Sequence, residues 1–525
     1  MIRLKIDGLE VETSERCSVL EAARDVGAEI PALCDLPGYP AHTSCMICLV
    51  KDSAAGTMLP ACSVRVREGM EIDTCCDEVI ESRRGALELL LSEHVGDCEG
   101  PCRLGCPARM DIPRMIRQIA AGDLKGAVLT VKRHIALPAV LGRICPAPCE
   151  KVCRRREVDE AVSICLLKRF VADLDLAEPP RAHPVRSIAS GRRVAVVGAG
   201  PAGLAAAYYL RLQGHDCTVF DERDLPGGML RYGVDPARLP REVLDAEIAG
   251  IGELGVLYRM KHRIGDAAQF RRLRRKFDAV ILAVGETGPD FAGRLGLSAS
   301  ERGIRAEKTA FTTGVEGVFA GGAAVTPTRL AVRAAADGRL VAEAAGRYLA
   351  GGDAAAGGQV RFNSRIGRLD PDELREYASD AGQGGRVAAV EDGDGGYSAA
   401  EARREAARCL HCDCRARGDC LLRSCAEKYD ARQVRAENCA RPPFKRFGRG
   451  HGVVFEPGKC IRCGRCVRIT EKAGEPLGLT FIGRGFDIRV GTPFDAPLEE
   501  ALHATAAQCV DACPTGALAW YEEAG

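Results

Sequence analysis

The first 80 or so residues alternate apolar and polar positions, as in IRLKIDGLEVE, around one apolar stretch at 19–26 with helical spacing. A two-residue period marks a half-buried strand, so this segment predicts a small β-grasp-like domain with one helix. Over 85–190 the period lengthens. GALELLLSEH and IPRMIRQIAAGDLKGAVLTVKRH carry apolar residues at i, i+3 and i+4 and predict helices. At Arg193 the apolar run RVAVV leads into a glycine-rich turn and a new helical stripe, the start of a βαβ unit. From 351 to 400 the chain is rich in Gly, Ala and Asp and predicts a linker. The expected fold class is multidomain α/β, divided at 1–80, 81–190, 191–350, a linker at 351–400, a Cys-rich segment at 401–445 and a last domain at 446–525.

A chain of 525 residues can bury three or four cores. Lys+Arg 73 against Asp+Glu 72 leaves a net charge of +1, so no whole-chain field favours nucleic acid or an acidic membrane. The N-terminus has no apolar leader core, and no run of about 18 uncharged apolar residues could span a bilayer. The expected compartment is the cytoplasm. Its reducing environment disfavours disulfides, so 26 Cys point to metal ligation, the more so because none lies between Cys217 and Cys409.

Cys34, Cys45, Cys48 and Cys62 have the spacing C-x10-C-x2-C-x13-C. Four thiolates suit a [2Fe–2S] centre, and a structural zinc site takes four as well. The surrounding ALCDLPGYPAHTSCMICLV and LPACSVRVREGMEIDT resemble the N-terminal [2Fe–2S] domain of the large Fe–S subunit of NADH:quinone oxidoreductase and of iron-only hydrogenases, which implies iron. Ser44 and Met46 stand where that family commonly has Gly and Arg. Cys17, Cys75 and Cys76 are left over and are expected to be small buried residues.

His94, Cys98, Cys102 and Cys106 are followed by Cys145, Cys149 and Cys153. Six Cys and a His exceed the needs of one cluster, and two [4Fe–4S] clusters are the economical reading. The segment CEGPCRLGCPARMDIPRMIRQI and its sequel LPAVLGRICPAPCEKVCRR are similar to the N-terminal domain of the glutamate synthase small subunit and of dihydropyrimidine dehydrogenase. That resemblance implies one cluster on position 94, Cys98, Cys102 and Cys153, and another on Cys106, Cys145 and Cys149. Here position 94 is His, and LELLLSEHVGDC also resembles the His-ligated segment of the NADH:quinone oxidoreductase subunit. The fourth ligand of the second cluster comes in that family from a non-Cys side chain on the next helix. In this chain Lys168 holds roughly that place, and Cys165, a turn earlier on the same face, is a candidate ligand or simply core.

RRVAVVGAGPAGLAAAYYLRLQGHDCTVFDERDLPGG has Gly198, Gly200 and Gly203 between strand and helix, Asp221 after the next strand, and Gly228 at its close. Such a turn brings backbone N–H groups to a pyrophosphate, and the acid can hold a ribose hydroxyl. VFAGGAAVTPTRLAVRAAADGRLVAEAA, with Gly321 and Gly322, resembles the closing FAD motif of the same flavoproteins, which implies FAD. Ala323 stands where that family usually has Asp. Only 35 residues separate Gly285 from Gly321, too few for the NAD(P) domain of roughly 100 residues that the glutamate synthase small subunit carries there.

Cys409, Cys412, Cys414 and Cys420 lie close enough along the chain to share one metal, where Fe–S and zinc both fit, with Cys425 and Cys439 as substitutes at either end. Finally, GKCIRCGRCVRITEKAG and CVDACPTGALAW resemble the two-cluster ferredoxin-like domain of hydrogenases and NADH:quinone oxidoreductase. The resemblance implies one [4Fe–4S] on Cys460, Cys463, Cys466 and Cys513. Thr470 and Ala506 stand where the second cluster would need Cys, leaving Cys509 alone.

The fold expected from these pieces joins a β-grasp [2Fe–2S] domain, a helical [4Fe–4S] domain, a Rossmann-type FAD domain and a ferredoxin-like domain. The cofactors expected are one [2Fe–2S], three or four [4Fe–4S] and one FAD, with zinc an alternative at Cys409–Cys420. No nucleophile–base pair marks a catalytic residue. The function expected is an electron-transfer subunit of a multi-subunit oxidoreductase, with bifurcation left open, serving ferredoxin or an NADH-, hydrogen- or formate-linked partner. The alternative is a self-sufficient NAD(P)H-dependent oxidoreductase of the glutamate synthase small subunit type.

Overall fold

The computed structural model describes residues 1–356, 362–379, 381–389, 395–416, 418–434, 447–450 and 452–520. Two compact units emerge, one of Met1–Gly100, Arg361–Ser379 and Cys412–Gly525, the other of Pro101–Val360 and Asp380–His411.

In the first unit, the alternating N-terminal pattern forms β1 (Ile2–Ile6) and β2 (Leu9–Thr13), joined by β3 (Leu49–Asp52), β4 (Thr57–Pro60) and β5 (Glu71–Asp73) in the order β2-β1-β5-β3-β4. β1 runs antiparallel to β2 and parallel to β5, the mixed pairing of a β-grasp sheet. Leu4, Ile6, Val11, Val50 and Ile72 point into one core, which the helix Val19–Asp25 closes with Val19, Leu20, Ala22 and Ala23. Ser18 and Glu21 cap that helix reciprocally, satisfying two otherwise orphaned backbone donors. The next helix, Asp77–Glu93, buries Val79, Arg83, Leu87 and Leu91 along one stripe. Arg83 donates to the carbonyl of Leu49 (2.8 Å) and to the Tyr429 hydroxyl (2.9 Å), so its charge is buried with its donors engaged. The C-terminal part is a three-stranded sheet, Phe447–Gly450, Val453–Phe455 and Leu518–Trp520, with helices Arg465–Ala473 and Ala506–Ala512 beside it. The stretch expected to be a linker contains a helix, Pro371–Ala378, capped reciprocally by Asp370 and Glu373.

The second unit opens with short helices. The long apolar stripe of 112–134 is not one helix. Gly122 (φ 82°) ends Ile112–Ala121, and Asp123 caps Leu124–Lys132 through the Gly126 N–H at 2.8 Å. A parallel sheet follows, made of β6 (Arg193–Val197), β7 (Asp216–Phe220), β8 (Leu257–Arg259), β9 (Ala279–Leu282) and β10 (Val318–Ala320). Its order, β10-β9-β6-β7-β8, reverses direction between β6 and β9, the switch point where doubly wound folds bind ligands. Glu247, on helix Arg241–Glu253, accepts the Ala139 and Val140 N–H groups, both at 2.8 Å, at the start of helix Pro138–Ile144. Between β9 and β10 lie the helix Gly288–Leu295 and the hairpin Ala299–Ser300/Gly303–Ile304, and no further Rossmann unit among the described residues. No described helix is long and apolar enough to cross a membrane.

Candidate iron–sulfur and dinucleotide sites

The first cage is a loop against a sheet. Cys34, Cys45, Cys48 and Cys62 are all buried. The thiols of Cys45 and Cys62 hold the Cys34 sulfur well below the usual thiol range, and in exchange Cys45 and Cys62 are driven up. Such sharing means that the sulfurs crowd one point. The backbone N–H groups of Ser44 and Cys45 serve the Cys34 sulfur, and those of Leu33 and Ile47 serve Cys45. Met46 holds φ 54°, the left-handed turn that lets Cys45 and Cys48 converge.

In the second unit, Cys106, Cys145, Cys149 and Cys165 come together. A hydrogen bond from Cys165 lowers the Cys145 thiol to about 7, while burial pushes Cys149 up in the company of Cys165 and Cys106. Lys168 is buried, with its ammonium on the Leu141 carbonyl (3.1 Å) and 3.7 Å from the Cys165 sulfur. A lysine here is a counter-charge, since an ammonium has no lone pair to give a metal. Cys102, Cys153 and Cys409 pack against the same hydrophobic core.

At the C-terminus, Cys460, Cys463, Cys466 and Cys513 line one apolar cavity with Phe455, Val490 and Leu518. Burial raises Cys460 to about 12 and Cys463 to about 11, a cost that a bound metal would offset by displacing the proton. Arg462 takes φ 54° inside this pair, repeating the device at Met46. Where a second cluster would need a thiolate, the Thr470 hydroxyl instead donates to the Val467 carbonyl (3.0 Å) and accepts the Leu479 N–H (3.1 Å). Cys509 is fully buried in the domain core.

His94 and Cys98 belong to the first unit, Cys102 and Cys153 to the second. Likewise Cys409 falls in the second unit and Cys412, Cys414 and Cys420 in the first. Cys439 lies outside the described residues. Cys75 is exposed, not buried as expected, because Asp73 holds the Cys75 and Cys76 N–H groups in a surface turn (2.9 and 2.8 Å).

The dinucleotide turn forms as its glycines dictate. A Cβ at Gly203 would lie 1.8 Å from the Gly198 carbonyl oxygen, and one at Gly198 (φ 107°) 2.3 Å from that of Ala283. Gly200 is different: a Cβ there would meet only Gly228 at 3.9 Å, leaving the turn open on the ligand side. Asp221, at the end of β7, accepts the Ala199 N–H at 2.7 Å and shapes the turn. Gly322 (φ 67°) brings the end of β10 against Ala202, where a Cβ would stand 2.8 Å from the alanine methyl. Gly321 donates its N–H to the Leu282 carbonyl at the end of β9 (3.1 Å).

Four segments match known domain families: a 2Fe-2S iron-sulfur cluster binding domain at 1–75, dihydropyrimidine dehydrogenase domain II with a 4Fe-4S cluster at 92–179, an NAD(P)-binding Rossmann-like domain at 196–250, and the ferredoxin-like domain of NADH-quinone oxidoreductase subunit 3 at 450–519. The chain is a multidomain iron–sulfur protein with a Rossmann-type dinucleotide-binding domain. This iron–sulfur protein is 38% identical over 224 residues to the NADP(+)-dependent formate dehydrogenase subunit beta of Moorella thermoacetica, covering 39% of this chain and 31% of that one. It is 42% identical over 193 residues to the NADPH-Fe(3+) oxidoreductase subunit beta of Geobacter sulfurreducens, covering 35% and 28%. To the NAD-dependent dihydropyrimidine dehydrogenase subunit PreT of Salmonella typhimurium it is 37% identical, covering 36% and 46%. The matched part thus spans less than half the length of each of these relatives.

Proposed function

We propose that this chain is an electron-transfer subunit of a cytoplasmic multi-subunit oxidoreductase, carrying one FAD among several iron–sulfur clusters. One observation carries this reading: thiol cages and a dinucleotide turn share one chain, while the segment from Gly285 to Gly321 holds no second nucleotide-binding unit. The glycine cradle fits a dinucleotide pyrophosphate, and Gly321 and Gly322 follow the end of β10, with Gly322 against Ala202 of the helix after the turn. Bound FAD would supply exchange between two-electron and one-electron chemistry. The protein's part is to hold it. Gly198 and Gly203 keep the backbone close, Gly200 leaves room, and Asp221 and Gly228 fix the loop beneath. The residues of the Cys34–Cys62, Cys106–Cys165 and Cys460–Cys513 cages would hold clusters that supply single-electron carriage, and the partners are redox subunits linked to NADH, hydrogen or formate, or ferredoxin.

A second reading has its own support. The relatives named above bear NADP(+), NADPH or NAD in their names, so a self-sufficient NAD(P)H oxidoreductase is the competitor. Anaerobic mixing of the isolated chain with NADPH or NADH separates them. The electron-transfer reading expects the flavin absorbance to persist until a partner or dithionite is added, and rapid bleaching by the nicotinamide alone would establish the competitor.

A further inference from the structure

Resting on the electron-transfer reading, a further site emerges within the first unit from residues far apart in sequence. Cys98 follows the end of helix Asp77–Glu93, Cys414 lies in the segment after Cys412, and Cys420 caps helix Leu421–Lys428. All three are buried. The Cys414 N–H reaches the Cys98 carbonyl at 3.4 Å, and the Cys420 thiol lies in the electrostatic field of both Cys414 and Cys98. Backbone donors point at the sulfurs, Ser364 N–H to Cys98 at 3.4 Å and Arg423 N–H to Cys420 at 3.5 Å. N–H groups aimed at sulfur stabilise the thiolate form and tune a bound cluster.

The fourth position has a candidate too. His94 is buried, and its Nδ1 has no hydrogen-bond partner, an unusual state for a buried imidazole nitrogen. Lys459 and Glu456 neighbour both His94 and Cys414, and the opposite face of His94 is engaged by the Lys459 backbone. That bond fixes the ring tautomer and leaves Nδ1 its lone pair, as ligating histidines require.

We infer that His94, Cys98, Cys414 and Cys420 hold one [4Fe–4S] cluster. The site adjoins its neighbours in the same unit. Cys420 feels Cys513 of the C-terminal cage, and Cys463 of that cage feels Cys34 of the N-terminal one. The C-terminal cluster is then the middle of a three-station line. Each transfer along it oxidises one cluster by a single electron and reduces the next by the same electron, with no bond made or broken.

The test uses the full-length chain purified anaerobically, with iron, sulfide and zinc measured and reduced spectra recorded by electron paramagnetic resonance. Cys98→Ser, Cys414→Ser and Cys420→Ser should each lose the same signal and about four iron atoms. Because they share one cluster, the C98S/C414S double variant should lose no more than either single one. Retention of the [2Fe–2S] signal reports that the unit still folds. His94→Cys should keep the iron and move that one signal to lower potential, since imidazole ligation raises potential over all-Cys ligation. Additive iron loss in C98S/C414S, cysteine-dependent zinc in place of iron, or an unmoved potential in H94C would overturn the assignment. An additive result with flavin and cluster signals otherwise intact would leave the electron-transfer reading standing, whereas a chain without iron would end both.

Discussion

Two four-thiol cages in this chain are built on different backbones. The Cys34–Cys62 cage sits on a loop and the edge of a sheet, and its sulfurs are served by backbone N–H groups from Leu33, Ser44, Cys45 and Ile47. The Cys106–Cys165 cage sits at helix ends, where the Ala147 N–H serves the Cys145 sulfur and a buried ammonium, Lys168, stands beside the Cys165 sulfur. Both use a left-handed non-glycine residue inside the close cysteine pair, Met46 in one and Ala147 in the other. The two cages thus share a left-handed step, while the helical one adds a buried ammonium beside its sulfurs.

The largest expected effect separates the cages by metal content. Cys48→Ser should cost about two iron atoms and Cys149→Ser about four, as counted by iron and sulfide assay. Equal losses would erase the distinction. Next, Cys165→Ala should remove about four iron atoms if it completes the helical cage. Unchanged iron with only a small drop in melting temperature would return Cys165 to the core.

Glu247 tests how the helical cage is positioned, because it caps the helix that ends at Cys145. Glu247→Gln keeps one acceptor oxygen for two N–H groups and should cost about 1–3 kcal/mol in denaturant unfolding, the scale of an unmet buried donor. Burial raises the Glu247 carboxyl from its ordinary 4.5 to about 7. The folded chain therefore holds a proton that the unfolded chain has lost, so this carboxyl's contribution falls as pH rises from 4.5 to 7 and is level above that. The Gln variant should lack that slope, and a slope unchanged from wild type would refute the assignment.

The smallest effect concerns charge alone. Lys168→Met should retain the iron and lower the potential of the helical cluster by a step on the order of 60 mV, the equivalent of a tenfold change for one electron. A shift of the [2Fe–2S] potential instead would contradict the comparison.

What the sequence made legible was local. The glycine turn is readable because strand, turn and helix are contiguous: Gly198 and Gly200 lie between β6 and the helix Pro201–Leu212, Gly203 in that helix's first turn, and Asp221 after β7. The β-grasp pairing follows from the two-residue alternation of IRLKI and LEVET. The helix break at Gly122 was readable from the Gly-Asp step but was masked by an apolar stripe that continues on both sides. Least legible were groupings closed by distant chain. Nothing near Cys98 announces Ser364 or Cys414, and no spacing rule says that Cys409 and Cys412 fall in different compact units. Cys165 lay between, since its place one turn before Lys168 was visible while its approach to Cys145 depends on how two helices pack.

The most direct test of the central claim is a stoichiometry. Full-length protein purified without oxygen should release one FAD per chain and contain about 14 to 18 iron atoms with matching sulfide. A chain without flavin, holding only zinc on its thiols, would contradict the account.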